Sequence, residues 1–343
     1  MYKTGSKPMK EATFYVHLPH GGIRCELCPH HCVLTEGEHG KCNARSNQQE
    51  KLIAENFGVV TAFCIDPIEK KPLYHFFPGR QILSVGSFGC NLKCDWCQNA
   101  SIAQQGRSAF SHISHTPPGQ IVQQAANSNS IGLAYTYNEP IVWYEYMMEM
   151  AKGIKEHRLK NVLVTNLQIN PKPLQELLPL LDAVNADLKS FDAAFYLNKT
   201  GGHLDVIKKN LRTVAESGVH LEITFLVLPL MNEKQSMFAD MVNWIAEELG
   251  DRTVLHLSRY FPANRMDDPP TSLDLMHRLF DLAKEKLPYV YLGNVRVSST
   301  TASTFCRSCR QKLIARNGYH TEIVGLNPDG SCIHCQEPIC VTH

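Results

Sequence analysis

Gly89-Cys90-Asn91-Leu92-Lys93-Cys94-Asp95-Trp96-Cys97-Gln98-Asn99 carries three cysteines at C-x3-C-x2-C spacing. Three thiolates this close fit three corners of an iron–sulfur cube and leave the fourth iron without a protein ligand. Ferredoxin-type carriers close their clusters with four thiolates. Structural zinc also takes four ligands, and no further Cys or His adjoins the stretch. The spacing therefore reads as a [4Fe–4S] cluster with one position kept for a substrate or cofactor. The competing reading is three reduced thiols in a loop, or half of a zinc site completed from elsewhere.

Around this stretch the chain alternates between short apolar runs and segments with helical spacing. Ile82–Gly86 delivers the cysteine loop. Strands are expected at 131–135, 161–165, 183–188, 219–228, 254–257 and 289–292. Helices are expected at 116–128 (Thr116 as N-cap), 141–158, 172–180, 203–217, 233–249 and 272–287. Alternating units imply a parallel sheet, because parallel strands need helical crossovers. Six or seven units fit an α/β fold with a partial (β/α)6-type barrel. A doubly wound sheet is the competing topology, although the dinucleotide fingerprint G-x-G-x-x-G is missing.

The 343 residues carry a net charge of +1, which gives no electrostatic case for nucleic acid or an acidic membrane. No apolar run is long enough to span a bilayer and no secretory signal is visible, so a cytoplasmic protein is expected. In a reducing compartment the 13 cysteines point to metal or redox chemistry. Cys25, Cys28, Cys32 and Cys42 lie at C-x2-C-x3-C-x9-C, with Gly37 and Gly40 permitting the turns between them. Structural zinc is the favoured reading there and an auxiliary iron–sulfur cluster the alternative. A ligating His30 or His31 is the weaker option, since a lone loop histidine is more often solvated. Cys306, Cys309, Cys332 and Cys335 form paired C-x2-C knuckles, the pattern of one zinc in a small ribbon. Cys64 reads as a buried small hydrophobe. Strands are expected at 51–54 and 59–63, and Asp66–Gly79 reads as a packed connector. The layout is thus a Cys-rich segment and connector at 1–79, a barrel at 80–298 and a zinc-ribbon-like segment at 299–343.

Polar residues collect where the strands end: Thr136-Tyr137-Asn138-Glu139-Pro140, Thr165-Asn166, Asp187-Leu188-Lys189, Glu222 and Thr224, and His256 with Ser258-Arg259. Each has a dull explanation taken singly, such as a turn, a cap or a satisfied core histidine. The carboxyl ends of parallel barrel strands build active sites, so their repetition at one rim suggests a shared pocket.

With these motifs in view, the chain resembles radical S-adenosylmethionine (SAM) enzymes. More narrowly it resembles the AmmeMemoRadiSam-system radical SAM proteins, relatives of the activating enzymes of pyruvate formate-lyase and other glycyl radical enzymes. The resemblance rests on Cys25-Glu26-Leu27-Cys28-Pro29-His30, Asp66-Pro67-Ile68-Glu69-Lys70-Lys71-Pro72-Leu73, the Cys90–Asn99 stretch, Tyr135-Thr136-Tyr137-Asn138-Glu139-Pro140 and Tyr291-Leu292-Gly293-Asn294-Val295. It implies that Cys90, Cys94 and Cys97 hold the [4Fe–4S] cluster and that SAM caps the open iron. It further implies that Asn138-Glu139-Pro140 meets the SAM amino group, Trp96 the adenine, Thr165 and Asn166 the ribose or carboxylate, and Lys189 and His256 the carboxylate or the reacting substrate. Two departures stand out. Leu167-Gln168 follows Thr165-Asn166 where Gly and an aromatic are usual, and Cys340 replaces a usual glycine.

The resemblance implies an external electron donor such as flavodoxin or ferredoxin. The substrate stays open between a glycine of a partner glycyl radical enzyme and a small molecule or another protein. A third reading, of another class, is a zinc-scaffolded binding protein without turnover.

Overall fold

The computed structural model describes residues 10–19, 21–295 and 299–339. Its centre is an eight-stranded sheet: β1 (Ala62–Pro67), β2 (Gln81–Gly86), β3 (Gly132–Tyr135), β4 (Lys160–Thr165), β5 (Ala183–Asp187), β6 (His220–Val227), β7 (Val254–Arg259) and β8 (Val290–Gly293). The strands lie in chain order from β1 to β8. From β2 onward every neighbouring pair is parallel, whereas β1 runs antiparallel to β2. A doubly wound sheet reverses its strand order at a switch point. This sheet never does, so it is the open, barrel-like alternative.

Six longer helices, Pro118–Asn127, Tyr144–Glu156, Pro171–Leu177, Leu204–Glu216, Gln235–Glu248 and Leu273–Lys284, make the crossovers. Leu204, Ile207, Leu211 and Val214 show the logic: one apolar stripe at helical spacing, all buried. Ser272 caps the last of these helices by accepting from Leu275 N at 3.2 Å. The first begins at Pro118 behind Pro117, not at Thr116, whose backbone N–H instead donates to Gly58 O.

The connector is the main revision. The strand expected at 59–63 is β1, which runs through Pro67 on backbone pairing with β2, and its Cys64 is exposed, not buried. An edge strand needs no buried alternation to form, which is why its apolar pattern misled. Beyond it, Ile68, Leu73 and Phe76 pack on Ile82, Ala134, Val162 and Ala183 from successive strands. The connector thus fills the interior of the sheet below its carboxyl ends.

Two small three-stranded sheets flank the amino end, at Tyr15–His17, Ile23–Cys25 and Val33–Leu34, and at Lys10–Glu11, Lys51–Ala54 and Arg45–Gln48. A third, at Thr304–Phe305, Lys312–Asn317 and His320–Ile323, carries the carboxyl-terminal cysteines at its edge. Cys340 lies outside the described residues.

Candidate active site at the cysteine loop

The cysteine loop leaves β2 and is tied down on three sides. Asn138 accepts from Ser87 N (2.9 Å) through Oδ1 and donates to Gly89 O (2.9 Å) through Nδ2. Cys90 N donates to Cys42 O at 3.2 Å. Asn91 Nδ2 donates to Gln168 O (2.7 Å), and Asn166 Nδ2 donates to Asn91 Oδ1 (3.0 Å). Gly89 has φ +91°, and a Cβ there would sit 2.6 Å from Cys42 O, so only glycine suits both the torsion and the approach.

Cys90, Cys94 and Cys97 open onto one pocket of ≈ 260 Å³. Trp96, Asn138, Glu139, Asn166, Asp187 and Lys189 also line it. Every strand but β1 contributes its carboxyl end or the loop that follows. Among the described residues, no other cysteine and no histidine lines the pocket. Burial pushes the Cys94 thiol up to about 12, so a bound metal, more than the surrounding charges, would have to take its proton.

Glu139 is buried and accepts from Thr165 Oγ1 (2.7 Å), Asn166 N (2.8 Å) and Ile141 N (3.1 Å). Burial pushes its carboxyl up to about 7 even against those three donors. Lys189 pairs with Asp187 at 2.8 Å. Burial opposes its charge, but the Asp187 carboxylate and the nearby Cys94 hold its pKa above the ordinary lysine value. Tyr196 Oη accepts from Lys189 N (2.7 Å), and Asn232 Nδ2 donates to Lys189 O (2.8 Å), fixing the backbone from which that ammonium reaches inward.

Three expected residues sit differently. Thr165 stays behind the pocket and reaches it through Glu139. Pro140 is buried and opens the short helix after Glu139. His256 faces an adjoining cavity of ≈ 540 Å³ and holds Glu222 at 2.6 Å. Glu222 is fully buried and also accepts from Tyr74 N (2.9 Å) and His75 N (2.7 Å), with His220 Nε2 at 2.8 Å. Burial works against this carboxylate, yet the two histidines bring it well below its ordinary range. Glu222 and His256 therefore anchor the connector.

The Leu167-Gln168 departure keeps the loop geometry. Leu167 adopts φ +55°, a left-handed torsion that favours glycine, and Asn210 Nδ2 donates to its carbonyl at 2.9 Å. Gln168 is the partner of Asn91. Its hold on the cysteine loop was invisible in sequence because the two residues meet only in the folded chain. His30, expected to be solvated, is half-buried with Nε2 2.7 Å from Asn91 O.

Residues 84–245 match the radical SAM superfamily. The chain is 36% identical over 334 residues to the uncharacterized protein MJ0808 of Methanocaldococcus jannaschii, covering 96% of this chain and 99% of that one. It is 22% identical over 121 residues to the (2S)-3-sulfopropanediol dehydratase activating enzyme of Klebsiella oxytoca, covering 35% of this chain and 38% of that one. Among solved structures, Streptococcus suis SuiB bound to its precursor peptide SuiA shares the fold with a TM-score of 0.50 at 18% identity, covering 65% of this chain and 50% of that one. The chain belongs to the radical SAM superfamily and is an enzyme of that chemistry, which implies a [4Fe–4S] cluster, SAM and a reductant. Among the described residues no helix is long and apolar enough to cross a membrane.

Proposed function

We propose that Cys90, Cys94 and Cys97 hold the [4Fe–4S] cluster and that SAM lies in the ≈ 260 Å³ pocket beside them. The observation that carries this reading is the donor set: three thiols and, among the described residues, no fourth cysteine or histidine on a pocket that also gathers a buried carboxylate and an ammonium. When bound, the reduced cluster would supply one electron to the sulfonium, so that SAM would yield methionine and a 5′-deoxyadenosyl radical able to take hydrogen from the substrate. Glu139 accepts the SAM ammonium. Lys189 neutralises the carboxylate, in a site where burial makes such pairing stronger than in water. Asn166 adds a donor beside it, with Thr165 holding Glu139 in place. Trp96 offers a buried ring face to the adenine. Asn138 and Pro140 shape the loop that presents Glu139. These residues bind, orient and keep water out, while the cofactors carry the radical step.

The substrate enters through the ≈ 540 Å³ cavity, which shares Gln98, Tyr137, Ser258 and Asn294 with the SAM pocket. The likeness to an activating enzyme, and the motif blocks shared with AmmeMemoRadiSam-system proteins, favour a glycine of a partner protein. The second reading is a small molecule. The cavity falls within the range of roughly 300–1,000 Å³ usual for such ligands, and Asp66, Lys70 and Lys71 offer it charged groups. Zinc at the carboxyl-terminal knuckles braces one wall: Gly318 and Tyr319, on the hairpin turn of that ribbon, line the cavity.

Anaerobically reconstituted protein, given SAM and dithionite, is expected to release 5′-deoxyadenosine and to lose that activity in Cys94→Ala. Colourless protein that holds only zinc and leaves SAM intact would leave the binding-platform reading standing.

A further inference from the structure

The two terminal cysteine groups, for which zinc is the favoured reading in sequence, differ in the fold. At the carboxyl end Cys306 Sγ and Cys335 Sγ are 3.4 Å apart, Cys309 Sγ and Cys332 Sγ are 3.6 Å apart, and all four sulfurs lie within 4.8 Å of one another. Zinc–sulfur bonds of about 2.3 Å in a tetrahedron put thiolates about 3.8 Å apart, so that group has zinc spacing. Among the described residues it is the one set of three or more ligating side chains drawn together so tightly. Cys25, Cys28, Cys32 and Cys42 instead line a narrow void of ≈ 20 Å³ together with Leu27, Leu34 and Val142. That leaves room for a water-sized body beside the four thiols, where a closed zinc tetrahedron leaves none.

Arg45 supplies a second, independent observation. Its side chain lines the same void and is 1% exposed. Nη2 donates to both oxygens of Glu145 at 2.8 and 2.7 Å and Nη1 to Thr13 O at 3.3 Å, but among the described residues the buried Nε–H has no acceptor. A buried donor without an acceptor is costly, and an anionic sulfur cluster in the void that Arg45 lines would place negative charge beside that guanidinium. A backbone amide already faces one of the thiols: Lys41 N donates to Cys32 Sγ at 3.5 Å. Such N–H···S bonds tune cluster potentials.

Position gives the role. Cys42 O accepts from Cys90 N at 3.2 Å, so one hydrogen bond joins this group to the cysteine loop. His30 makes a second bridge, to Asn91 O. Cys28 and Cys32 are half-buried, within reach of the surface. We propose that Cys25, Cys28, Cys32 and Cys42 hold a second [4Fe–4S] cluster that relays single electrons to the cluster at Cys90, Cys94 and Cys97. The destination of the electron rests on the function proposed above, whereas the occupant of the site does not. A low-potential one-electron donor protein reduces the second cluster from the 2+ to the 1+ state. That cluster returns to 2+ as the first goes from 2+ to 1+, with no bond or proton changing place. Zinc has no redox step to offer here.

The test uses the full chain, reconstituted anaerobically. In the Cys90→Ala/Cys94→Ala/Cys97→Ala variant, about four irons and four sulfides per chain are expected, with a reduced paramagnetic signal that SAM does not alter. In the wild type, about twice that iron is expected, SAM shifts about one iron in eight by Mössbauer spectroscopy, and the fully reduced spectrum is broadened by coupling between two nearby paramagnets. Zinc without iron in the triple variant, together with SAM shifting one wild-type iron in four, overturns the second cluster and leaves the cysteine-loop reading intact. Equal iron in wild type and triple variant sinks the cysteine-loop reading instead. An uncoupled wild-type spectrum overturns the relay. Cys28→Ser/Cys32→Ser is expected to lose about half of the wild-type iron, and unchanged iron there moves the cluster to another site and overturns the assignment.

Discussion

SAM binding is expected to be proton-linked through Glu139. In the ligand-free protein burial pushes this carboxyl up to about 7, while the amides of Asn166 and Ile141 and the hydroxyl of Thr165 restrain the shift. Only the ionised form pairs with an ammonium. The apparent dissociation constant therefore carries the factor 1 + 10^(pKa − pH), about 11 at pH 6 and about 1.3 at pH 7.5. Affinity should thus fall about eightfold, or about 1.2 kcal/mol, on going from pH 7.5 to pH 6. The window stays below the α-amino range of about 7.7–8.0, so the ligand's own amine is mostly charged across it. Glu139→Gln preserves size but removes the charge. Its NH2 must also face either Asn166 N or the Ile141 and Thr165 donors, all of which need an acceptor. Losing a charge-assisted hydrogen bond costs about 1.5–3 kcal/mol, so binding should weaken roughly 10- to 150-fold and lose its pH dependence. Titration calorimetry of SAM into anaerobic reconstituted protein, at several pH values in this window, reads both quantities. A flat wild-type profile, or a Glu139→Gln protein that binds as tightly as the wild type, would refute the reasoning.

Three further perturbations test the surrounding structure. Glu145→Ala strands the buried Arg45 guanidinium and removes the acceptor for Thr13 N and Oγ1; chemical denaturation should show a loss of about 3–5 kcal/mol, as for other broken buried pairs, and Arg45→Met/Glu145→Leu should recover part of it. Burial pushes His75 down to about 3, so it is neutral in the fold and ionises below about 6.5 when unfolded. Its contribution is complete above that pH and shrinks as pH falls toward 3. At pH 5 about 2 kcal/mol is gone, and the stability gap between wild type and His75→Gln should narrow by that amount in urea titrations at pH 7.5 and 5. Gly89→Ala forces a side chain into a left-handed torsion costing roughly 1–2 kcal/mol and drives its Cβ against Cys42 O. Iron content of the reconstituted protein should drop, whereas Ala at the exposed Gly119, which has open space around it, should leave iron content unchanged.

What sequence reveals depends on how far apart the cooperating groups lie. The cysteine loop is legible because its three ligands span eight residues and metal geometry restricts their spacing. Glu139 and Lys189 are legible as polar groups after strands, since parallel strands deliver their carboxyl ends to one rim. Glu222 has the same local look and a different fate. Its side chain projects into the sheet interior one step below Thr224, and what it holds is the backbone at Tyr74 and His75, about 150 positions earlier in the chain. No local pattern encodes that meeting. Gln168 and Asn91, which lock the loop, are hidden for the same reason. Both terminal cysteine groups favour zinc in sequence despite their different spacings, because spacing reports how many thiols can gather but not how wide a centre they enclose.

The connector shows how an incomplete barrel can keep a defined pocket. Seven parallel strands leave the sheet open, with β1 and β8 as edges. An open concave face would admit water along its whole depth. Here Ile68, Leu73 and Phe76 occupy the lower interior, and Glu222 fixes the connector backbone above them through two amides and two histidines. The ribbon adds a wall: Arg316 Nη2 donates to Tyr74 O at 2.6 Å, and His75 Nδ1 lies 2.9 Å from Ile339 O. What remains open is the carboxyl rim, where the cysteine loop, Glu139 and Lys189 converge and where the larger cavity adjoins them. The Glu222 network thus sets the floor of the site from below. A change there is expected to act on substrate and SAM together, by letting water into the interior, whereas Glu139→Gln should act on SAM alone.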